Sequence, residues 1–462
     1  MSSKCISGLT LLGTVLVSFA VGSHEPTGAA NDAPILIVWA GTLLADPGRA
    51  PSANQSIVIR NGLIERVSSG RLSAASIGSK PERTHILDLS ALYVLPGLFD
   101  LHVHLSTEPD PAGSLDEVTL TSADLALRAA ANAEKTLRAG FTTVLDMGTG
   151  RRAHELAVYA VRDAIASGRA QGPRILAVGS PVSSPGNSRT SRFQPDVERV
   201  VAPQGVCSGA EDCRRAVREQ VQRGADVINF YNTGSLLSPA SPAQTFTDEE
   251  MHAIVETAHS LNRKAVADGA GTLGSAAGVN AAIRAGADWV DTVIFPGKDT
   301  WPLLAKAGRN YAPHLYAVVA AVGEDEAHLS EGSMGWLPTP VLEVLFKLKR
   351  ETPAAVAAHA AGIRMVFASD AGVFAHGKNA GEFEQYVKAG LTRAEAIATA
   401  TVNAAAVLGT SADSGTLEPG KRADLIAVSG DPLSDIRVLN NVRVVVRSGE
   451  VVKDEGAEGA HP

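Results

Sequence analysis

From about Val94 onward the chain repeats one unit, a short apolar run followed by an Ala-rich stretch of helical character. The runs are FDLHVHL, FTTVLDM, RILAVGS, DVINFY, KAVAD, DWVDTV, NYAPHLY and RMVFASD. Most carry too few polar residues to face water on either side, the pattern of parallel strands covered on both faces. Eight such repeats predict an α/β fold, a closed (β/α)8 TIM barrel over residues 95–408 rather than an open sheet. Helix starts agree: Thr247-Asp248-Glu249-Glu250 offers a capping hydroxyl and an acidic first turn.

The flanks read differently. Residues 34–94 hold short β-rich runs, among them SIVIR and LIERV joined by Asn61-Gly62, a dipeptide suited to a type I′ hairpin because both central residues need positive φ. Residues 409–453 return to strand character in ADLIAVSG and VRVVVRSGEVV. The simplest arrangement pairs the two flanks as one small β-sandwich domain built from both chain ends, with residues 454–462 (DEGAEGAHP) as a disordered tail.

At the N-terminus Lys4 precedes an apolar run, Ile6 to Gly22, closed by the small residues Ala20, Gly22 and Ser23. That pattern predicts a signal peptide over 1–23, with an uncleaved anchor as the alternative. Cleavage leaves a periplasmic or secreted protein with no membrane attachment. Cys5 would leave with the leader, so Cys207 and Cys213 remain as a pair in CSGAEDC, and in an oxidising compartment they predict a small disulfide. Forty-one Lys and Arg against 49 Asp and Glu, a net charge of −8 and no basic run, argue against nucleic acid. The expected partner is a small-molecule or peptide substrate, and a homo-oligomer stays open.

In barrels of this kind the C-terminal ends of the strands carry the chemistry. The first strand ends in Asp100-Leu101-His102-Val103-His104. Histidines two apart on an extended chain project from one face and can share a metal ion.

Leu95-Pro96-Gly97-Leu98-Phe99-Asp100-Leu101-His102-Val103-His104 resembles the P-G-x-x-D-x-H-x-H signature of the amidohydrolase superfamily, in particular its imidazolonepropionase-like and Xaa-Pro or Xaa-Arg dipeptidase branch. Gly140-Phe141-Thr142-Thr143-Val144, Gly224-Ala225-Asp226-Val227-Ile228, Ser369-Asp370-Ala371-Gly372 and the run from Gly415 to Leu425 are similar to further pieces of that pattern. The resemblance implies a metal-assisted hydrolase in which His102, His104 and Asp370 are metal ligands and Asp370 also shuttles the proton.

Departures from the pattern narrow this expectation. The branch carries a carboxylated lysine on strand 4, where this chain has Asn229, and asparagine cannot form a carbamate. Asp268 stands at the strand-5 histidine, Thr292 at the strand-6 histidine and Asn187 at a histidine after strand 3. A reduced, mononuclear site is therefore expected, with Asp268 as a fourth ligand or a helix cap. Zn²⁺ suits two imidazoles and one or two carboxylates best, and Mn²⁺ or Fe²⁺ also fit. Asn229, Tyr231, Asp268, Thr292, His314 and His376 are candidate substrate contacts. The favoured reaction is hydrolysis of an amide, ester or lactone. Two alternatives remain: metal-free acid–base chemistry (elimination, isomerisation or cyclisation) by the same cluster, or ligand binding without catalysis.

Overall fold

The computed structural model describes residues 33–110, 113–185, 187, 194, 196–197, 204–234, 244–269, 276–293 and 295–456. The expected leader therefore lies outside the described residues, as do residues 457–462 of the expected tail. No helix among the described residues is long and apolar enough to cross a membrane.

Both chain ends share one seven-stranded sheet. β1 (Ile35–Leu43), β2 (Ser52–Arg60), β3 (Leu63–Ser69) and β4 (Thr84–Pro96) join β12 (Leu425–Val428), β13 (Val442–Arg447) and β14 (Glu450–Asp454) in the order β14-β13-β12-β4-β1-β2-β3. β4 is the link: its N-terminal part runs parallel to β1, and its last residues, Tyr93 to Pro96, run antiparallel to β12. Inward residues from both flanks, including Val38, Ile57, Leu89, Leu425 and Val444, form one apolar cluster. Asn61 (φ 51°) and Gly62 (φ 76°) make the β2–β3 turn with both residues left-handed, closing the Arg60–Leu63 pair as the dipeptide predicts. β14 ends at Asp454, the first residue of the expected tail.

The barrel strands are β5 (Leu98–Val103), β6 (Phe141–Asp146), β7 (Arg174–Ala177), β8 (Val227–Tyr231), β9 (Lys264–Asp268), β10 (Trp289–Asp291) and β11 (Asn310–Ala312). They form two parallel sheets, β5-β6-β7 and β8-β9-β10-β11. Backbone bonds join the sheets at one seam, where Asp226 N donates to Ala177 O and Val182 N to Asn229 O. The other seam is the extended segment 364–370, whose Val366 N bonds Tyr311 O while its Phe367 O accepts from Leu101 N. Those bonds link the segment to β11 on one side and to β5 on the other. Phe99, Leu101, Leu145, Val178, Val227, Val266, Trp289 and Val366 fill the interior, so the barrel is a packed core with its chemistry at one end.

The seventh strand is shorter than NYAPHLY suggests. Pro313 has no N–H to extend the ladder, and Leu315–Ala321 is a helix whose first amides, Leu315 N and Tyr316 N, donate to the buried carboxylate of Glu382. An insertion follows, with a 3₁₀ turn at Glu326–Glu331 and the helix Thr339–Glu351, packed on its own core of Ala321, Val322, Leu337, Leu342, Leu345 and Phe346. Glu250 completes a capping box with Thr247 at the start of the helix Asp248–Ser260, as the sequence there predicts.

Cys207 and Cys213 are disulfide-bonded, with Cys213 in the first turn of the helix Ala210–Arg223. A six-residue separation closes a small loop, for which chain-entropy arguments give about 2 kcal/mol. Replacing both cysteines by serine should therefore lower the unfolding free energy by about that amount in denaturant titrations. Recovery of two free thiols from non-reducing peptide maps of the purified protein would contradict the bridge.

Candidate active site

Three ligand atoms from opposite ends of the barrel sequence converge. His102 Nε2 lies 3.3 Å from His104 Nε2, and Asp370 Oδ1 lies 3.2 Å from His104 Nε2 and 3.5 Å from His102 Nε2. Backbone register makes this possible: Asp370 N donates to His102 O and His104 N to Ala371 O, both at 2.8 Å, so the first strand and the eighth segment lie side by side. Asp370 takes a left-handed backbone (φ 62°), which aspartate tolerates better than most residues. Gly372 follows at φ 117°, and a side chain there would meet His104 Cβ at 2.8 Å, so only glycine leaves His104 its place.

His102 is held from behind. Its Nδ1 is 3.0 Å from Asp291 Oδ2, and with Asp291 ionised, when its oxygens only accept, the proton sits on Nδ1 and Nε2 presents a lone pair to the cluster. Sequence reasoning passed over Asp291 in favour of its neighbour Thr292. The signal was present, since Trp289 and Asp291 alternate on β10 and place Asp291 on the inward face. His314 packs edge-on against His102 with ring centroids 4.2 Å apart, and its Nε2 is 3.7 Å from Asp291 Oδ2.

Burial and neighbouring charges set the proton positions. Desolvation would raise the Asp370 carboxyl, yet the adjacent His102 and His104 outweigh it and draw it down to about 2. Burial opposes charge on His104 as well, but the carboxylates of Asp370, Asp146 and Asp268 leave its pKa raised. Burial lowers His102 and takes His314 down to about 4, while it pushes Asp291 up to about 7. His104 and Asp370 are partly exposed, so the cluster is open on their side and closed on the side of His102.

The remaining candidates separate. Asn229 and Asp268 meet across β8 and β9, Asn229 Nδ2 donating to Asp268 Oδ2 at 3.3 Å, while Asn229 Oδ1 is buried without a hydrogen bond. Among the described residues the ligand atoms that gather within 4.8 Å are those of His102, His104 and Asp370, with a second group of His102, Asp291 and His314, and neither group includes Asp268. Thr292, left-handed at φ 53°, shares a 2.9 Å bond with His314 Nδ1, which accounts for the buried position of both. Tyr231 ends β8 opposite Asp268 and is partly exposed. Asn187 donates to Thr233 O at 3.1 Å, tying the segment after β7 to the end of β8. His376 differs from the expected substrate contact: it is buried, its Nε2 donates to His104 O and Thr107 O, both at 3.2 Å, and its Nδ1 lies 3.3 Å from Thr136 Oγ1. With both ring nitrogens engaged, it clamps the loop that carries His104.

The donor set fits a divalent metal. Three ligand atoms at roughly 2.1 Å from one ion in near-tetrahedral array lie about 3.4 Å apart, close to the spacings of this triad. Asp370 Oδ1 and His104 Nδ1 are buried without hydrogen bonds, and Asp291 supplies the carboxylate partner that commonly stands behind a metal-binding imidazole.

Comparison with known proteins agrees with this geometry. Ochratoxinase from Aspergillus niger is 27% identical over 449 residues, covering 92% of this chain and 88% of that protein. Its crystal structure superposes with a TM-score of 0.75, at 26% identity, over 92% of this chain and 97% of that one. The crystal structure of a Xaa-Pro dipeptidase with methionine bound in its active site is 31% identical, with a TM-score of 0.79, over 90% of this chain and 99% of that one. The profile of the Amidohydrolase family matches residues 93–452, which spans the barrel and the returning strands, and the chain belongs to this family of hydrolases.

Proposed function

We propose that the protein is an exported hydrolase that uses one divalent metal ion, held by His102, His104 and Asp370, to cleave an amide, ester or lactone bond in a small molecule or peptide. The observation that carries this reading is the triangle of Nε2, Nε2 and Oδ1 at 3.2–3.5 Å. A relative named as a Xaa-Pro dipeptidase, whose bond is an amide, and one named as an ochratoxinase support the amide as first choice. Zn²⁺ suits the donors best, and a periplasmic or secreted location rests on the N-terminal pattern and on the disulfide.

A bound ion would supply Lewis acidity, lowering the pKa of a water molecule to about 7 and polarising the scissile carbonyl. Asp370 is ionised at neutral pH and partly exposed, so a carboxylate oxygen accepts the proton of the attacking water and returns it to the leaving group. Asp291 fixes the tautomer of His102. Asn229 and Asp268 occupy the place where the related pattern carries ligands for a second ion; their amide and carboxylate present polar contacts to the substrate there. Asparagine offers no carbamate to bridge two ions, which keeps the site mononuclear.

His102→Ala and His104→Ala should each abolish turnover and release metal. Asp370→Asn keeps an oxygen for coordination but not a base, so turnover should fall by about 10² or more. Activity that persists in excess chelator would instead favour metal-free acid–base chemistry.

Asp291→Ala should weaken metal affinity by about 10- to 100-fold, read by competition with a chromogenic chelator, because His102 loses the group that orients it. Unchanged affinity would show that Asp291 serves packing alone.

A further inference from the structure

One buried imidazole has no part in the proposed chemistry. His314 follows β11 and packs edge-on against His102, on the closed side of the cluster. Its place is fixed by the backbone on both sides: Thr292 N donates to Ala312 O at 3.1 Å, and Glu382 caps the helix that begins at Leu315. The family pattern sets a histidine at Thr292. Here an imidazole arrives beside that position from the next strand, with His314 Nδ1 2.9 Å from Thr292 Oγ1.

The proton on this ring follows from its two neighbours. A hydroxyl both donates and accepts, so Thr292 alone leaves the tautomer open. The other side decides it, because His314 Nε2 lies 3.7 Å from Asp291 Oδ2. With Asp291 ionised, a lone pair on Nε2 would face a carboxylate and be repelled, whereas an N–H is attracted. The proton therefore sits on Nε2, and Nδ1 accepts from the Thr292 hydroxyl. The separation of 3.7 Å is longer than a hydrogen bond. His314 Nε2 and Asp291 Oδ1 are nevertheless both buried without a hydrogen bond, so each gains when a small shift of ring or carboxylate closes the gap. A line of contacts results, from Thr292 to His314, from His314 to Asp291, and from Asp291 to His102 Nδ1 at 3.0 Å, and all four residues are buried. At its far end His102 turns Nε2 toward His104 and Asp370.

We propose that His314 is a positioning residue: its Nε2–H holds the Asp291 carboxylate in the orientation that aims His102 at the metal, and the Thr292 hydroxyl fixes the His314 tautomer. Both residues then act behind the site rather than against the substrate. The proposal rests on the metal reading for its affinity measurements alone, since the tautomers are read in metal-free protein.

Two measurements on the purified protein test it: Zn²⁺ affinity by competition with a chromogenic chelator, and imidazole nitrogen NMR of metal-free protein labelled at histidine. His314→Leu and Thr292→Val should each lower affinity by about 3- to 10-fold, less than the loss of Asp291 because they stand one contact further from the ion. His314→Gln, whose amide can accept from Thr292 and donate to Asp291, and Thr292→Ser should stay close to wild type. In an Asp291→Ala background His314→Leu should cost nothing more, since the group it acts through is gone, whereas a residue that serves packing alone loses as much in either background. In the NMR spectra wild-type His314 should carry its proton on Nε2 and His102 on Nδ1, and Thr292→Val should move the His314 proton toward Nδ1. Unchanged affinity in His314→Leu, an equal loss without Asp291, or a wild-type His314 protonated on Nδ1 overturns the proposal. Should His314→Leu fail to fold by circular dichroism, Thr292→Val in the two backgrounds decides. A wild type that binds no Zn²⁺ sinks the metal reading, and the NMR result alone then decides the arrangement of His314 and Asp291.

Discussion

The hydrogen bonds between the first strand and the eighth segment are the constraint on which the site depends. Leu101 N to Phe367 O at 2.9 Å, with the 2.8 Å bonds from Asp370 N to His102 O and from His104 N to Ala371 O, set two segments more than 260 residues apart in one register. Each contributes only about 1 kcal/mol net. Together they fix which side chains face one another, because a slip of one residue would turn Asp370 away from both histidines. Gly372 permits the close approach, and His376 clamps the loop after β5 from the other side.

Around this seam the protein keeps several buried acids, each with stated partners. Asp291 answers His102, and Asp146 accepts from Leu105 N and Gly148 N. Asp100 is bound by Ser369, by Asn379 and by the amides of Ser369 and His102; burial still pushes it up to about 6. These bonds stiffen the ends of the first and last strands. Rigidity there would serve the proposed metal site, because ligand atoms are best held in position before an ion arrives and loops alone hold them less well.

Much of this was legible in the sequence, for physical reasons. Eight apolar runs too greasy for one-sided burial announced a parallel barrel, and the family profile and superpositions bear out that fold class. His102 and His104 were legible because a two-residue period on a strand admits only one geometry, and Asp370 because Ser369-Asp370-Ala371-Gly372 resembles the strand-8 piece of the family pattern. Asp291 was missed because Thr292 occupied the position where the resemblance sets a histidine, and attention to the lost ligand hid its inward neighbour. The helix Leu315–Ala321 after β11 was missed because Leu315-Tyr316 reads as strand locally; Pro313 and the distant carboxylate of Glu382 make it a helix. His376 read as a substrate contact because its partners, His104 O, Thr107 O and Thr136, lie some 240 to 270 residues away in the chain.

The central claim is that this site holds a single ion despite the replacements at Asn229, Asp268 and Thr292. Elemental analysis of the purified protein, by mass spectrometry before and after dialysis against chelator and again after re-addition of Zn²⁺, tests it most directly. The account predicts close to one divalent ion per chain, lost to the chelator and restored to one. A stoichiometry near zero under saturating metal, or a stable value of two, would contradict it.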